Sequence, residues 1–162
     1  MDISQVYITI PLYNDSKMIL KVIKSLNDKG YNNIVVVDDG STDNGYELVK
    51  NNTNAIVAKH IINRGQGAAL QTAMEIAIDR GAKYIVHFDS DGQHDPKDID
   101  HMLNTLIEGN YDIVLGSRFL KKNNIPLKKR ILLKGGILFT YLFSHIWLTD
   151  VHNGIRVMTS ET

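Results

Sequence analysis

Two short apolar runs, Ile34–Val37 and Tyr84–Phe88, each stop abruptly on acids. The first ends on Asp38-Asp39, the second on Asp89, with Asp91 one residue further along. Continuous apolar runs of this length suit strands buried on both faces, the kind found in parallel sheets. Between them, apolar residues recur at helical spacing: Ile19, Val22, Ile23 and Leu26, then Leu70, Ala73, Met74, Ala77 and Ile78, then Ile99, Met102, Leu103 and Leu106. Gly30 and Gly81 stand where the first two of these helices would close. Asp95-Pro96 reads as the N-cap and first residue of the third, with Asp98 and Asp100 favourably placed in its first turn. Further strands are expected at Val6–Ile10, ending at Pro11, at Ala55–Ala58 and at Asp112–Leu115, with a short helix around Tyr46–Lys50. The alternation predicts an α/β fold: an open, mostly parallel sheet with helices on both faces. Ile155–Met158 looks like one more strand with nothing after it to cover it, so residues 1–162 read as one domain, truncated at its C-terminal end.

A chain of 162 residues can bury a real core as one domain. Its 18 basic and 18 acidic side chains cancel, so nothing argues for nucleic acid as a partner. The absence of cysteine excludes disulfides, thiolate chemistry and cysteine-based zinc sites, and leaves the redox compartment open. Met1-Asp2-Ile3-Ser4-Gln5 lacks a basic and then apolar leader, which predicts a cytoplasmic location. Ile131–Leu148 is the most apolar stretch, but Lys134, Gly135-Gly136 and His145 interrupt it. It suits a helix lying in a membrane interface, behind the basic run Lys128-Lys129-Arg130, or a buried packing helix, better than a spanning one.

Ligands of open α/β sheets gather outside the carboxyl ends of the strands, where this chain concentrates its acids, glycines and arginines. Asp89 and Asp91, set in a turn with Gly92, can face one crevice and hold a hard divalent cation with positions left for phosphate oxygens; the alternative is a pair of ordinary turn acids. Asp38 and Asp39 are placed to bond a ribose or base edge, while Ser41, Thr42 and Asp43 suit an Asx-turn and helix cap. Asn63-Arg64-Gly65-Gln66-Gly67 opens a helix, and its glycines fit either close backbone approach to a phosphate or a tight turn. Arg118, at a strand end, the Lys128-Lys129-Arg130 run and Arg156 are candidates for neutralising a diphosphate; the run equally suits a solvated face. His87 reads as a core residue, His94 as an outer neighbour of the acids, and His60, His101 and His145 have no partner at metal spacing.

Taken in order, Ile10-Pro11-Leu12-Tyr13-Asn14, Val37-Asp38-Asp39-Gly40-Ser41-Thr42-Asp43, Asn63-Arg64-Gly65-Gln66-Gly67-Ala68-Ala69, Asp89-Ser90-Asp91-Gly92-Gln93-His94-Asp95-Pro96 and Gly116-Ser117-Arg118 resemble the family 2 glycosyltransferases of GT-A fold. The branch most similar is that of dolichyl- or polyprenyl-phosphate mannosyl- and glucosyltransferases. The resemblance implies inverting transfer of a sugar from a GDP- or UDP-linked donor to a polyprenyl or dolichyl phosphate, or to a glycan. It implies a donor site of Pro11, Tyr13, Asn14, Asp38, Asp39, Asn63, Gly67 and Arg156, and magnesium or manganese on Asp89, Asp91 and Gln93. Arg118, with Lys129 or Arg130, would bind phosphates, and Asp150 would serve as base if the acceptor were a hydroxyl. Residues 128–148 would then meet the cytoplasmic face of a membrane. Gln66 departs from the lysine often found there, and Val151-His152-Asn153-Gly154-Ile155-Arg156 follows the usual Asp-Pro-Thr-Ser-Gly-Phe-Arg only loosely. The competing classes are a non-catalytic nucleotide-sugar-binding fragment and a sugar nucleotidyltransferase, whose glycine-rich basic loop after the first strand is replaced here by Pro11-Leu12-Tyr13-Asn14.

Overall fold

The structure, a computed structural model, describes residues 2–117, 135, 137, 140–143, 145, 149–150 and 153–162. They fall into two compact units, residues 1–114 with 155–162, and residues 115–154. The first unit carries strands β1 (Val6–Leu12), β2 (Ile34–Asp38), β3 (Ile56–Lys59), β4 (Tyr84–His87) and β6 (Arg156–Thr159), and helices α1 (Ser16–Asn27), α2 (Gly45–Asn52), α3 (Gln66–Asp79) and α4 (Lys97–Glu108). With β5 (Ile113–Leu115), the strands form a sheet of order β3-β2-β1-β4-β6-β5.

β1, β2, β3 and β4 pair in parallel, whereas β6 runs antiparallel to β4, with His87 opposite Arg156. The sheet is therefore mixed, and the strand expected to lie uncovered is instead inserted between β4 and β5. Long-range pairing decided this, and local pattern carries no record of it.

Alternation along the central strands splits the core into two layers. Val6, Ile8, Ile10 and Leu12 of β1 face α1 and α4, against Ile19, Val22, Ile23, Leu26, Ile99, Leu103 and Leu106. Tyr7, Val35, Val37 and Ile85 face α3, which meets them with Ala69, Ala73 and Ala77. The stripes of α1 and α4 match the expectation residue for residue. That of α3 does not: the alanines at fourfold spacing are buried, while Ile78 is 44% exposed. Small side chains win this face because a helix lying close over a sheet of β-branched residues leaves no room for larger ones. Gly30 and Gly81 close α1 and α3 in the left-handed conformation (φ 88° and 87°), as their spacing predicts.

Pro11 does not end β1, which continues to Leu12. Proline is tolerated in this central strand because the neighbouring β4 ladder has already stopped at His87, opposite Thr9. Leu12 turns the other way and accepts the Asp39 amide (2.8 Å), so Pro11 faces the side where no ladder donor is needed. α4 starts one residue later than expected, with Pro96 in the N-cap position, and Asp95 just before it accepts the Lys97 amide (3.0 Å). Asp43 joins two helix starts, accepting from Ser16 at α1 and Gly45 at α2, rather than capping α2 alone.

Candidate active site

The chain steps from β1 to β2 to β3 on one side of the sheet, then crosses to place β4 on the other side of β1. The crevice where strand order reverses lies outside the ends of β1 and β4, the position where open α/β sheets bind ligands. A cleft of about 420 Å³ opens there, lined by Pro11, Leu12 and Tyr13 from β1 and its exit, Asp39 after β2, Asn63 and Gln66 at the start of α3, and Asp89, Ser90 and Asp91 after β4.

Asp89 emerges from β4 with both oxygens engaged. The Gln66 side-chain amide donates to Oδ1 (3.2 Å), and the His94 ring nitrogen Nε2 lies 2.9 Å from Oδ2. His94 is thus the outer neighbour expected of it, its ring edge-on to Phe88. Asp91 is exposed; Oδ1 accepts the Gln93 amide (2.9 Å), and its other oxygen carries no hydrogen bond among the described residues. Ser90 donates to Asp15 (2.9 Å), tying this turn to the exit of β1.

Asp39 is held from three directions. Its Oδ1 accepts the Arg64 amide (2.9 Å) and meets His60 Nδ1 (2.7 Å), and its Oδ2 accepts the Gly65 amide (2.7 Å). Burial works against ionisation, but the Arg64 amide, His60 and the Gly65 amide together outweigh it and hold the carboxyl below its usual range. Gly40, at φ 74°, lets the Ile62–Asn63 backbone pass: a Cβ there would lie 2.6 Å from the Asn63 nitrogen.

The adjacent acid behaves differently. Asp38 is fully buried as the last residue of β2, accepts the Ser41 amide (2.7 Å) and faces Lys59 Nζ at 3.8 Å. It shapes the turn and is not among the residues that line the cleft, where the expectation had both acids, and its Oδ2 is buried with no hydrogen bond among the described residues. Asn14 (φ 53°) is likewise structural, its Oδ1 accepting from the Thr42 amide and hydroxyl. Gln93, whose amide donates to Asp91, lines a second groove with Met18, Lys21 and His94 and is not among the residues lining the Asp89–Asp91 cleft. Gly67 lies exposed in the first turn of α3, and a Cβ added there would meet no atom within 4 Å, so no close approach within the protein requires glycine at this position.

Arg156 is exposed on β6, opposite His87 in the ladder. His87 is buried, and its two ring nitrogens make no hydrogen bond among the described residues. Its pKa is pushed down to about 4 by burial, with the Arg156 charge adding to the effect. Asp150 is buried in the unit of residues 115–154. Arg118, Lys129 and Arg130 lie outside the described residues, as does most of 128–148. Among the described residues no helix is long and apolar enough to cross a membrane.

The donor set fits a divalent ion held partly by a ligand. Asp89 and Asp91 offer oxygen alone in an open cleft, and no group of three or more acidic, histidine or cysteine side chains forms a closed cage among the described residues. A residue that spacing did not reveal is His60: it lies beside Asp39 because β3 pairs with β2 in the register that sets Lys59 opposite Asp38, the His60 amide donating to the Asp38 carbonyl (2.8 Å).

A known protein of Methanocaldococcus jannaschii, itself uncharacterized, is 41% identical over 160 residues, matching 97% of this chain and 65% of its own length. The UDP-N-acetylglucosamine–dolichyl-phosphate N-acetylglucosaminyltransferase of Methanococcus voltae is 36% identical over 175 residues, matching 96% of this chain and 70% of its own. This chain thus spans about two thirds of these relatives. Among solved structures, glucosyl-3-phosphoglycerate synthase from Mycobacterium tuberculosis, in complex with Mn2+ and UDP-glucose, superposes with a TM-score of 0.73 at 19% identity, over 97% of this chain and 56% of that one. That likeness establishes a GT-A-type mixed α/β fold. The model of the family described as "Glycosyl transferase family 2" matches residues 7–160, nearly the whole sequence, and the chain belongs to that family.

Proposed function

We propose that this chain carries the donor half of an inverting, metal-dependent glycosyltransferase that moves a sugar from a nucleoside diphosphate sugar to a polyprenyl phosphate. The observation that carries the reading is the cleft at the strand-order reversal, which gathers Asp39 on one wall and Asp89 and Asp91 on the other. Asp39 accepts hydrogen bonds only, so it suits a base edge that presents N–H donors, such as the ring N–H of uracil or guanine. Tyr13, half-exposed beside Pro11, offers an aromatic face for that base.

Asp91 and Asp89 would hold magnesium or manganese against the diphosphate. Bound there, the ion supplies neutralisation of the charge that develops on the departing nucleoside diphosphate. Gln66 and His94 fix the Asp89 carboxylate in place, and Ser90 anchors the turn through Asp15. A polyprenyl phosphate acceptor follows from the M. voltae relative's name, and a UDP-linked donor is the first to test for the same reason. An acceptor phosphate is already ionised near neutral pH, so its oxygen attacks without a general base; Asp150 is required only for a hydroxyl acceptor.

Calorimetric titration of UDP and of GDP, each with and without manganese, tests the site. Manganese-dependent binding of one nucleotide, lost in Asp91→Ala, is expected. Absence of nucleotide binding under every condition overturns the reading. Labelled-sugar transfer to polyprenyl phosphate by the purified chain then separates an enzyme from a binding fragment.

A further inference from the structure

Three donors converge on Asp39, and two of them are backbone amides of the turn before α3, at Arg64 and Gly65. The third is the ring of His60, which is 9% exposed and does not line the cleft. Its far nitrogen, Nε2, lies 3.0 Å from the Thr72 hydroxyl on α3. With Asp39 ionised, the His60 Nδ1–H donates to its Oδ1, and Nε2 shares a hydrogen bond with the Thr72 hydroxyl. The chain of bonds Thr72–His60–Asp39 runs from the second turn of a packed helix to the wall of the cleft. With two acceptor positions on Oδ1 filled and one on Oδ2, a single direction on Oδ2 remains for a ligand donor.

We propose that His60 is a positioning residue for donor-base selection: braced by Thr72, it fixes the Asp39 carboxylate so that its one remaining acceptor direction faces the nucleobase. The inference rests on the donor-site reading above and goes beyond it by assigning selectivity to a residue that touches no ligand. Asp39 lacking His60 keeps its two amide bonds but gains rotational freedom about its side chain. The loss therefore falls on the base contact and spares the diphosphate end of the cleft, where Asp89 and Asp91 stand.

The test compares wild type with His60→Phe, which keeps the volume without the bonds, His60→Asn, whose amide can still donate to Asp39, and Thr72→Val. Each is titrated with UDP, CDP, GDP and inorganic pyrophosphate in the presence of manganese, and its melting temperature is recorded. For His60→Phe, affinity for the preferred nucleotide falls about tenfold, as for loss of one hydrogen bond to a charged group, and its preference over CDP falls equally. Pyrophosphate affinity stays within about twofold, and kcat at saturating donor changes less than KM. His60→Asn recovers most of the loss, and Thr72→Val shows the same base-selective loss in smaller measure. Unchanged selectivity in a folded His60→Phe, or equal loss of UDP, CDP and pyrophosphate, overturns the inference while leaving the donor site standing. Should His60→Phe not fold, Thr72→Val decides by the same comparison. Wild type that binds no nucleotide overturns the donor-site reading itself, and this inference with it.

Discussion

Asp38 and Asp39 are identical side chains one residue apart, and the fold gives them opposite work. Asp38 closes β2 inside the sheet; Asp39 has left the ladder and reaches the cleft. Asp39→Asn removes the charge that the Arg64 and Gly65 amides and His60 stabilise and turns one acceptor oxygen into a donor group. Nucleotide affinity is expected to fall at least about tenfold, with a lower melting temperature, while pyrophosphate binding persists. At the other wall, Asp91→Ala is expected to abolish the manganese dependence of nucleotide binding with little change in unfolding midpoint, since Asp91 is exposed and, among the described residues, bonds its own turn alone. Denaturant titration beside calorimetry checks both.

At the scale of elements, α3 is the hinge between core and site: its inner face is Ala69, Ala73 and Ala77, and its first residue, Gln66, grips Asp89. Ala73→Leu overfills the space against Val35, Val37 and Ile85, and a loss of about 1–3 kcal/mol is expected in urea unfolding. Leu26→Ala on α1 opens a cavity instead, at a cost of about 2–5 kcal/mol, without touching the cleft. The two variants therefore separate stability from site geometry: only the first is expected to weaken nucleotide binding. The 61–63 segment has its own control point. Gly40→Ala would drive a Cβ into backbone at a positive φ, lifting Asn63 from the cleft wall and lowering both stability and affinity.

For the whole molecule, the buried His87 imidazole sets a pH dependence of stability. Its pKa in the fold, about 4, lies below the unfolded value of 6.5 because burial disfavours the charged ring and Arg156 repels it. A depressed histidine contributes stability that is complete above pH 6.5 and is lost as pH falls towards 4, because the unfolded chain takes up the proton first. With a chelator present, unfolding free energy is expected to drop between those limits with a slope approaching about 1.4 kcal/mol per pH unit, and His87→Phe is expected to flatten it. Chemical denaturation at several pH values gives the slope directly.

Features under local chemical control are legible before the chain folds. Apolar runs ending on acids named the strands and the edge where the cleft opens, helical spacing named the buried stripes of α1 and α4, and Gly30 and Gly81 closed their helices as their backbone preference requires. Matters that depend on which strands become neighbours were settled by long-range packing. It inserted β6 antiparallel beside β4, carried β1 through Pro11 because β4 stops short, and buried both acids at the end of β2 while leaving only Asp39 of the two among the residues that line the cleft. It also chose alanines for the sheet-facing side of α3 and set His60 between Asp39 and Thr72. The reason is common to all of these: propensity and periodicity act over a few residues, whereas packing and hydrogen-bond satisfaction are settled between segments tens of residues apart.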